Sequence, residues 1–522
     1  MNEKREGIFL LFQNYAFIHK VISSLREERC MRATFIGHQT WLIEHGATKI
    51  LIDPLLCEDF GLVDQYRIDI YPPRSVDHRA LADVDLIFLS HEHSDHFDIQ
   101  SLNLLPRSAQ FVVGATIVEP VKQCIRDLGF RLTEIDSTEP LVVKDLSLKF
   151  YPADPKTAFW ESRVTQIHLQ EAAGPVTGVF IAVDALVSEL FKNDIVEEKV
   201  APPKLIIVSN NSRVSPPGAF QSLENWAKNA PNSNRKTGPL GLGVLNSVLT
   251  TYLEDFPAQP EHIAMCGGGF IKRFDGFAAF PFSEQPMLSQ VANQLSLDVN
   301  VIGLLPGENI ELDAPDPVSQ SIDWIKVNHL QHKLLIEELE TFIDSKRCIE
   351  VATSVLPDFD SPAQYFETLR RCQDELDRLA KSLMLFITGR KALQMSHYRG
   401  KKLGQRRIVF SFLSQALGLR HSYALDMCSG RFEAEPMTNL DALMAQYPYG
   451  VCMPLVDFMG VAEGDTQIWD VVGVSIKSWF EHGIFDGLIP FFYSYYGENG
   501  SPQLLGKIIT RAMGSLEVKA CN

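Results

Sequence analysis

Phe88-Leu-Ser-His-Glu-His-Ser-Asp-His-Phe-Asp98 is the stretch of sequence that decides the fold. The apolar run 84–89 that leads into it is typical of a buried strand. Three histidines and an aspartate follow directly, at positions 91–96. So many polar groups at the end of a buried strand are costly unless a partner satisfies them. The pattern His-x-His-x-Asp-His therefore indicates a metal-binding loop rather than a polar loop with coincidental histidines.

The spacing of this loop assigns its side chains to cations. Because alternate side chains of an extended segment share a face, His91 and His93 can hold one cation. Asp95 and His96 follow after the chain turns and can offer ligands to a second cation. Neutral imidazoles with a carboxylate suit zinc, iron or manganese better than calcium or magnesium. We therefore expect one or two divalent ions, zinc or iron with manganese as a further candidate.

Two segments upstream sharpen this interpretation. They are Ala33-Thr-Phe-Ile-Gly-His-Gln-Thr-Trp-Leu-Ile-Glu44 and Lys49-Ile-Leu-Ile-Asp-Pro54. Together with the histidine loop, they resemble the metallo-β-lactamase superfamily, in the branch of ascorbate-phosphate lactonases and N-acyl-phosphatidylethanolamine phospholipase D. The specific resemblance covers about residues 31–184. It implies the α/β class and an αββα sandwich, with the metals at one edge of the sheets.

The length and composition indicate a globular protein with more than one domain. The chain has 522 residues, of which 45% are hydrophobic and 22% are charged. We expect an N-terminal helical extension at 1–30, a metallo-β-lactamase-like catalytic domain at 31–285 and a mixed α+β C-terminal domain at 286–522. Met31 stands directly before the first family-like strand and is an alternative start of the functional protein.

Charge and cysteine usage exclude several functional classes. The net charge is −17, and no basic block offsets it, so nucleic acid is not an expected partner. Nine scattered cysteines without a Cys-x-x-Cys pair argue against a disulfide framework and for a reducing compartment. No apolar stretch approaches the ~20 residues of a membrane span. We expect a cytoplasmic enzyme that acts on a small molecule and can form a homodimer.

Patterning predicts short alternating elements. Strands are expected near 32–36, 40–44, 49–53, 111–114, 131–135, 141–151 and 422–433. Helices are expected near 120–128, 319–344, 361–382 and 439–446. Residues 212–240, rich in Pro, Ser, Asn and Gly, predict an insertion beside the site.

Two upstream residues border the expected metal site. His38 lies in the loop between the first two predicted strands, and in the resembled family this loop supplies no principal metal ligand. His38 is thus a candidate catalytic residue that faces a ligand or the substrate, or else a partner in a structural hydrogen bond. Asp53 resembles a family position that braces the histidine loop. Asp95 is the second catalytic candidate, because it can orient the attacking water.

The third ligand of the first cation is where the sequence departs from the family. The family has a histidine there, after a Pro-Ala pair, but here that pair is followed by Asp154. The candidates, in order, are Glu161, Asp154 and His168. A ligating glutamate resembles the diiron β-hydroxylase of chloramphenicol biosynthesis, and a salt bridge to Arg163 is the alternative role of Glu161.

Two strand ends supply the remaining candidate ligands. The apolar run 179–183 ends in Asp184, where the family has its metal-bridging carboxylate; capping of the next helix is the alternative. The run 262–266 ends in Cys266, where the family has its last histidine. Cys266 is therefore either a thiolate ligand or the mark of a lost ligand.

Three functions fit these residues. The favoured one is metal-assisted hydrolysis of an ester, lactone, amide or phosphodiester. The second is a diiron oxygenase, since a carboxylate near Glu161 stabilises ferric iron; residues 467–476 also faintly resemble CMP-sialic acid hydroxylase. The third is a degenerate fold that only binds, suggested by the two missing histidines.

Overall fold

The structure is a computed structural model that describes residues 31–63, 66–136, 139–157, 159–173, 178–209, 256–267, 270–274, 277–279, 285–294, 298–312, 314, 318–319, 322–334, 337, 354–472, 475–481 and 487–521. The helical extension predicted at 1–30 and the insertion predicted at 212–240 lie outside these residues.

The strands are short and follow the predicted alternation closely in the first half of the chain. They are β1 (Arg32–Gly37), β2 (Thr40–His45), β3 (Thr48–Ile52), β4 (Asp59–Val63), β5 (Tyr66–Ile70), β6 (Arg74–Val76), β7 (Leu86–Leu89), β8 (Gln110–Gly114), β9 (Arg131–Ile135), β10 (Leu141–Val143), β11 (Leu146–Pro152), β12 (Thr165–Glu171), β13 (Gly178–Val183), β14 (Leu205–Ser209), β15 (His262–Cys266), β16 (Phe270–Phe274), β17 (Phe277–Ala279), β18 (Asn300–Gly303), β19 (Asn309–Glu311), β20 (Val318–Ser319), β21 (Ile325–Val327), β22 (His397–Tyr398), β23 (Lys401–Lys402), β24 (Arg406–Ser414), β25 (Leu419–Asp426), β26 (Arg431–Glu435), β27 (Tyr449–Pro454) and β28 (Lys477–Trp479).

The helices lie between and after these strands. They are α1 (Ile99–Asn103), α2 (Glu119–Asp127), α3 (Glu189–Val196), α4 (Gln285–Asn293), α5 (Pro362–Leu385), α6 (Ile387–Gln394), α7 (Leu440–Gln446), α8 (Leu455–Glu463), α9 (Ile468–Val471), α10 (Leu488–Tyr496) and α11 (Pro502–Cys521), with short 3-10 helices at His78–Leu81 and Phe159–Glu161.

Two mixed sheets organise the first part of the chain. Within the described residues, the first sheet has the order β20-β19-β1-β2-β3-β7-β8-β9 and the second has the order β10-β11-β12-β13-β14-β15-β18. In each sheet antiparallel strands lead into parallel ones: β3, β7, β8 and β9 in the first, and β13, β14, β15 and β18 in the second. The carboxyl ends of these parallel strands are where open α/β sheets bind ligands.

The sheets pack face to face, and helices cover their outer faces. Alternate residues of each strand, such as Trp41 and Ile43 in β2 or Ile167 and Leu169 in β12, form one buried core between the sheets. A second core covers the outer face of the first sheet with α2 and α11, and a third covers the second sheet with α3 and α4. The αββα sandwich implied by the resemblance is confirmed.

Two predicted elements differ from the structure in part. The strand expected at 141–151 is a hairpin, because the chain turns at Lys144, whose φ is +49°. The helix expected at 319–344 is present at 329–334, but its first part is strand, since Val318–Ser319 pairs with β19 and Ile325–Val327 pairs with β6; residues 338–344 lie outside the described residues. Pairing with a neighbouring strand outweighs helical periodicity here.

Both sheets include strands that follow residue 285, where a domain boundary was predicted: β18 in the second sheet, and β19 and β20 in the first. Division of the chain into independently folding units stays a prediction.

The later part of the chain has the predicted mixture of helices and strands. Its sheet, as far as the chain is described, has the order β26-β25-β24-β27-β28, and α5 packs its apolar face in the same core. The helices predicted at 361–382 and 439–446 are confirmed as α5 and α7, and the strand predicted at 422–433 is the hairpin of β25 and β26. No helix among the described residues is long and apolar enough to cross a membrane.

Candidate metal centre

The histidine loop begins where β7 ends, and Asp53 at the end of β3 holds it. Asp53 accepts hydrogen bonds from the backbone N–H of Ser90 at 2.7 Å and from the Ser90 hydroxyl at 2.6 Å. Its Oδ2 atom also lies 2.8 Å from Nδ1 of His96. Since the carboxyl ends of β3 and β7 adjoin, one buried carboxylate fixes both ends of the loop, as the resemblance implied for Asp53.

A first group of donor atoms comes from the loop and from the opposite sheet. His91 Nε2 and His93 Nδ1 lie 3.0 Å apart. Glu161 reaches them from a 3-10 helix between β11 and β12, and its Oε2 lies 3.4 Å from each of these nitrogens. The two histidines use different ring nitrogens because they point at one position from two places along an extended segment.

Further donor atoms extend the cluster. His96 Nε2 lies 2.9 Å from Asp184 Oδ2, and with His91 these residues form a second group. His38 Nε2 lies 2.9 Å from Asp95 Oδ2, and with His96 they form a third group. In each group the donor atoms lie within 4.8 Å of one another. The structure thus brings together six of the seven predicted metal ligands.

The donor set fits a cation. Glu161 Oε2 is buried without a hydrogen-bond partner among the described residues, a costly arrangement unless a cation or water satisfies it. Burial raises the pKa of Glu161 well above its usual value, and the Asp184 and Asp95 carboxylates raise it further. Although burial alone lowers the pKa of His96, the carboxylates of Asp95 and Asp53 raise it well above its usual value. A divalent cation stabilises such crowded carboxylates and neutral imidazoles together.

Hydrogen bonds also hold the ring nitrogens in the form that metals require. The Ser90 hydroxyl donates to Asp53, so it can accept the Nδ1–H of His91 at 3.0 Å. His96 can likewise donate its Nδ1–H to Asp53. These bonds leave Nε2 of both histidines as the acceptor that faces the cluster, the usual second layer of support around metal-binding histidines.

Cys266, predicted as a ligand, lies outside the three groups. Its side chain faces the core between the sheets, as Ala264 does two residues earlier, because side chains alternate along β15. The thiol donates to Gln39 Oε1 at 2.9 Å. Gln39 in turn donates to Asp184 Oδ1 at 2.7 Å, so Cys266 supports the bridging candidate through Gln39. Burial raises the pKa of the Cys266 thiol well above its usual value.

The alternatives to Glu161 lie elsewhere. Asp154 is buried outside the cluster and accepts the backbone N–H of Lys156 at 2.7 Å. His168 points to the outer face of the second sheet and packs on Phe191, with ring centroids 5.0 Å apart. Arg163, the expected salt-bridge partner of Glu161, pairs instead with Glu92 at 2.8 Å.

The sequence interpretation missed an aromatic wall, formed by Trp469 and Tyr493, beside the first group. Trp469 lies with its ring centroid 4.9 Å from that of His93 and 4.0 Å from that of Tyr493. Nearby, Glu498 is buried and lies 3.6 Å from Arg163. Trp469 falls in the stretch 467–476, whose faint resemblance to a hydroxylase was the signal available. These contacts join the later part of the chain to the metal centre.

Comparisons with known proteins cover the same region. A sequence model of the family described as "Beta-lactamase superfamily domain" matches residues 32–167. A UPF0173 metal-dependent hydrolase of Opitutus terrae is 39% identical over 66 residues, which is 13% of this chain and 23% of that protein. The match thus spans about a quarter of the length of this relative.

Solved structures resemble the chain more remotely. An isothiocyanate hydrolase from Delia radicum gut bacteria has a TM-score of 0.37 and 16% identity, with 55% of this chain and 100% of that chain covered. CmlA, a diiron beta-hydroxylase from Streptomyces venezuelae, has a TM-score of 0.27 and 15% identity, with 46% and 44% covered. Neither likeness bears on the reaction. Residues 32–167 thus match the β-lactamase superfamily domain, and the sheets and layers around the histidine loop are those of the metallo-β-lactamase fold.

Proposed function

We propose that this protein is a metal-dependent hydrolase that cleaves an ester, lactone, amide or phosphodiester bond of a small molecule. The observation that carries the proposal is the convergence of His91, His93 and Glu161 beside His96 and Asp184. Zinc, iron or manganese fits this mixture of imidazole and carboxylate donors. A bound cation supplies a Lewis acid and lowers the pKa of its water towards ~7.

The residues of the chain divide the remaining work. Asp53 and Ser90 hold the ring nitrogens of His91 and His96 towards the cluster. Asp95 is the candidate for orienting the attacking water and accepting its proton, because its side chain is 18% exposed, against 13% for Glu161 and 7% for Asp184. A general base must be within reach of the proton that it accepts, so the most exposed carboxylate of the cluster is the best candidate.

The aromatic wall indicates what kind of substrate the site can bind. Trp469 and Tyr493 form an apolar surface next to His93. Binding sites for small molecules combine such surfaces with a few polar groups. A substrate with an apolar part beside its scissile bond suits this arrangement.

The second candidate function is dioxygen activation by two irons. It is favoured by one observation, the Glu161 carboxylate in the position where a third imidazole would favour zinc. Anionic oxygen ligands stabilise ferric iron relative to ferrous iron, which hydrolysis does not require.

Elemental analysis and an optical spectrum of protein purified from its native host separate these functions. Zinc at one or two equivalents, together with hydrolysis of a panel of esters, lactones and phosphodiesters, supports the hydrolase. Two irons with an oxo-bridged ferric absorption favour oxygenation instead. Protein that binds no metal, even after reconstitution, contradicts both functions and leaves the binding module.

A substitution at Glu161 tests the same choice in one residue. Glu161→Ala should lower metal affinity markedly, and Glu161→His should restore binding with a bias towards zinc, because a neutral imidazole replaces an anionic carboxylate. A hydrolase keeps its activity in Glu161→His, whereas an oxygenase loses it. Glu498→Gln is the matched control, since it neutralises a buried carboxylate nearby that belongs to none of the three groups.

A further inference from the structure

The end of β15 does not offer a side chain to the second cation. Cys266 is turned into the core between the sheets, where its thiol donates to Gln39 at 2.9 Å and lies 3.3 Å from the carbonyl oxygen of Val208. Asp95, His96 and Asp184 remain as candidate ligands of the second cation, and the end of β15 adds none.

His38 is held against this same strand end from the opposite sheet. The backbone N–H of Gly267, the residue after Cys266, donates to the carbonyl oxygen of His38 at 2.8 Å. The φ angle of His38 is +52°, an uncommon value for a residue with a side chain. Its ring is fully buried and stacks on Phe60, with centroids 5.8 Å apart and planes 22° apart. Backbone and ring contacts therefore both fix where the imidazole points.

The Nε2 atom of His38 points at the other two members of the third group, Asp95 and His96. It lies 2.9 Å from Asp95 Oδ2, and His96 Nε2 lies 3.7 Å from that same oxygen. Asp184 Oδ2 lies 2.9 Å from His96 Nε2 on the other side. The donor atoms of His38, Asp95 and His96 thus lie within 4.8 Å of one another, and His96 joins this group to Asp184.

We infer that His38 is a direct ligand of the second cation and supplies, from the loop between β1 and β2, the imidazole that the end of β15 lacks. This assignment rests on the proposed metal centre and adds a ligand from a loop that supplies no principal one in the resembled family. Cys266 then acts through Gln39, which holds Asp184, and does not bind the cation.

The alternative role of His38 is a hydrogen bond to Asp95 and nothing more. His38→Gln separates the two roles, because a glutamine amide has a similar reach and can donate to Asp95 but is a poor ligand for a divalent metal. A structural role survives this substitution, whereas ligation does not. Cys266→Ser is the matched control, since it removes the thiol, the other candidate ligand, while the serine hydroxyl can still donate to Gln39.

The experiment uses the full-length protein, stripped with a chelator and titrated with cobalt(II), whose visible absorption reports its ligands. The wild-type protein and Cys266→Ser should each bind two cobalt ions, with no thiolate-to-cobalt charge-transfer band. His38→Gln should keep the first ion and lose affinity for the second by more than ~100-fold, because even residues that only support a ligand contribute ~10–100-fold.

Two equally tight ions in His38→Gln overturn the inference, as does a charge-transfer band in the wild-type protein that Cys266→Ser removes. His38→Asn provides a second variant if His38→Gln does not fold, because asparagine tolerates a positive φ angle. Failure of the proposed metal centre looks different: the wild-type protein then binds no cobalt, and His91→Ala changes nothing.

Discussion

The two sheets of the sandwich contribute to the candidate metal centre in different ways. The first sheet offers three imidazoles and the Asp95 carboxylate from one contiguous loop, 91–96, and the Asp53 carboxylate at the end of the neighbouring strand holds this loop. The second sheet offers carboxylates from separate segments, Glu161 before β12 and Asp184 after β13. The ligands of the first sheet are therefore encoded in one short segment, whereas those of the second sheet come together only when the sheets pack.

The same contrast holds for two buried histidines. His96, on the first sheet, lies between Asp53 and Asp184, and these carboxylates hold both its ring nitrogens. His168, on the second sheet, is buried with neither ring nitrogen hydrogen-bonded within the described residues. Burial is the same, so the neighbouring charges decide what each histidine can do.

The largest expected effect is at the first sheet. His93→Ala should lower the affinity for the first cation by more than ~100-fold, because it removes a direct ligand and not merely a supporting residue. Elemental analysis after dialysis measures the loss. His168→Ala is the matched control, since it removes a buried histidine from the second sheet and should leave metal content unchanged. Full metal stoichiometry in His93→Ala contradicts the assignment.

The next effect tests the brace. Asp53→Ala leaves Ser90 and His96 without their carboxylate partner and should lower metal affinity ~10–100-fold. Asp154→Ala also removes a buried carboxylate but lies outside the three groups, so its metal affinity should match that of the wild-type protein. Competition with a chelator of known affinity measures both. Equal losses of metal affinity in the two variants would show that Asp53 has no specific role in holding the histidine loop.

His168 should make the stability of the folded protein depend on pH. Burial, together with the nearby Lys149 ammonium, lowers the pKa of His168 to about 3, so the folded protein keeps this ring neutral. Between pH 6.5 and pH 3 the unfolded chain binds a proton that the folded protein does not, so stability falls as the pH falls through this window. The loss should reach about 2 kcal/mol at pH 5.

His168→Phe should remove this pH dependence, because its ring does not titrate and can pack on Phe191 in the same way. Urea unfolding at pH 7 and pH 5 measures the difference between the variant and the wild-type protein. A wild-type loss that persists unchanged in His168→Phe would assign the acid sensitivity to another group.

The smallest expected effect concerns the wall over the first group. Trp469→Ala should leave metal content intact and raise KM with little change in kcat, because the ring contacts His93 and, under the proposed function, contacts the apolar part of the substrate. The contact itself is worth about 0.5–1.5 kcal/mol. Phe366→Ala is the control, because it removes an exposed aromatic residue that is about a hundred positions from Trp469 in the sequence. Loss of metal in Trp469→Ala would make this residue part of the centre's support.

The features that the sequence predicted correctly are those whose pattern lies within a few neighbouring residues. The strands around the histidine loop, and the loop itself, were predictable because their patterns are complete within a few residues. Glu161 and Asp154 stand close together in the sequence, and only the course of the chain between β11 and β12 brings the first to His91 and His93.

Other parts were not predictable because they depend on facing and pairing. Cys266 differs from the predicted ligand since it points into the core, and one residue along a strand reverses the face. Strand β19 was hidden because its partner β1 is distant in the chain, and β20 forms only by pairing with β19. Trp469 reaches His93 only through tertiary packing of the later part of the chain.

The packing of α11 has a consequence for synthesis. Leu505, Ile508 and Ile509 of this helix complete the apolar layer on the outer face of the first sheet, next to α2. A ribosome makes that sheet early and α11 long afterwards, so the nascent chain carries an uncovered hydrophobic face through most of elongation. Such distant closure slows folding and exposes the chain to aggregation. During translation, this face is where a chaperone would bind, and release would coincide with the emergence of α11 from the exit tunnel.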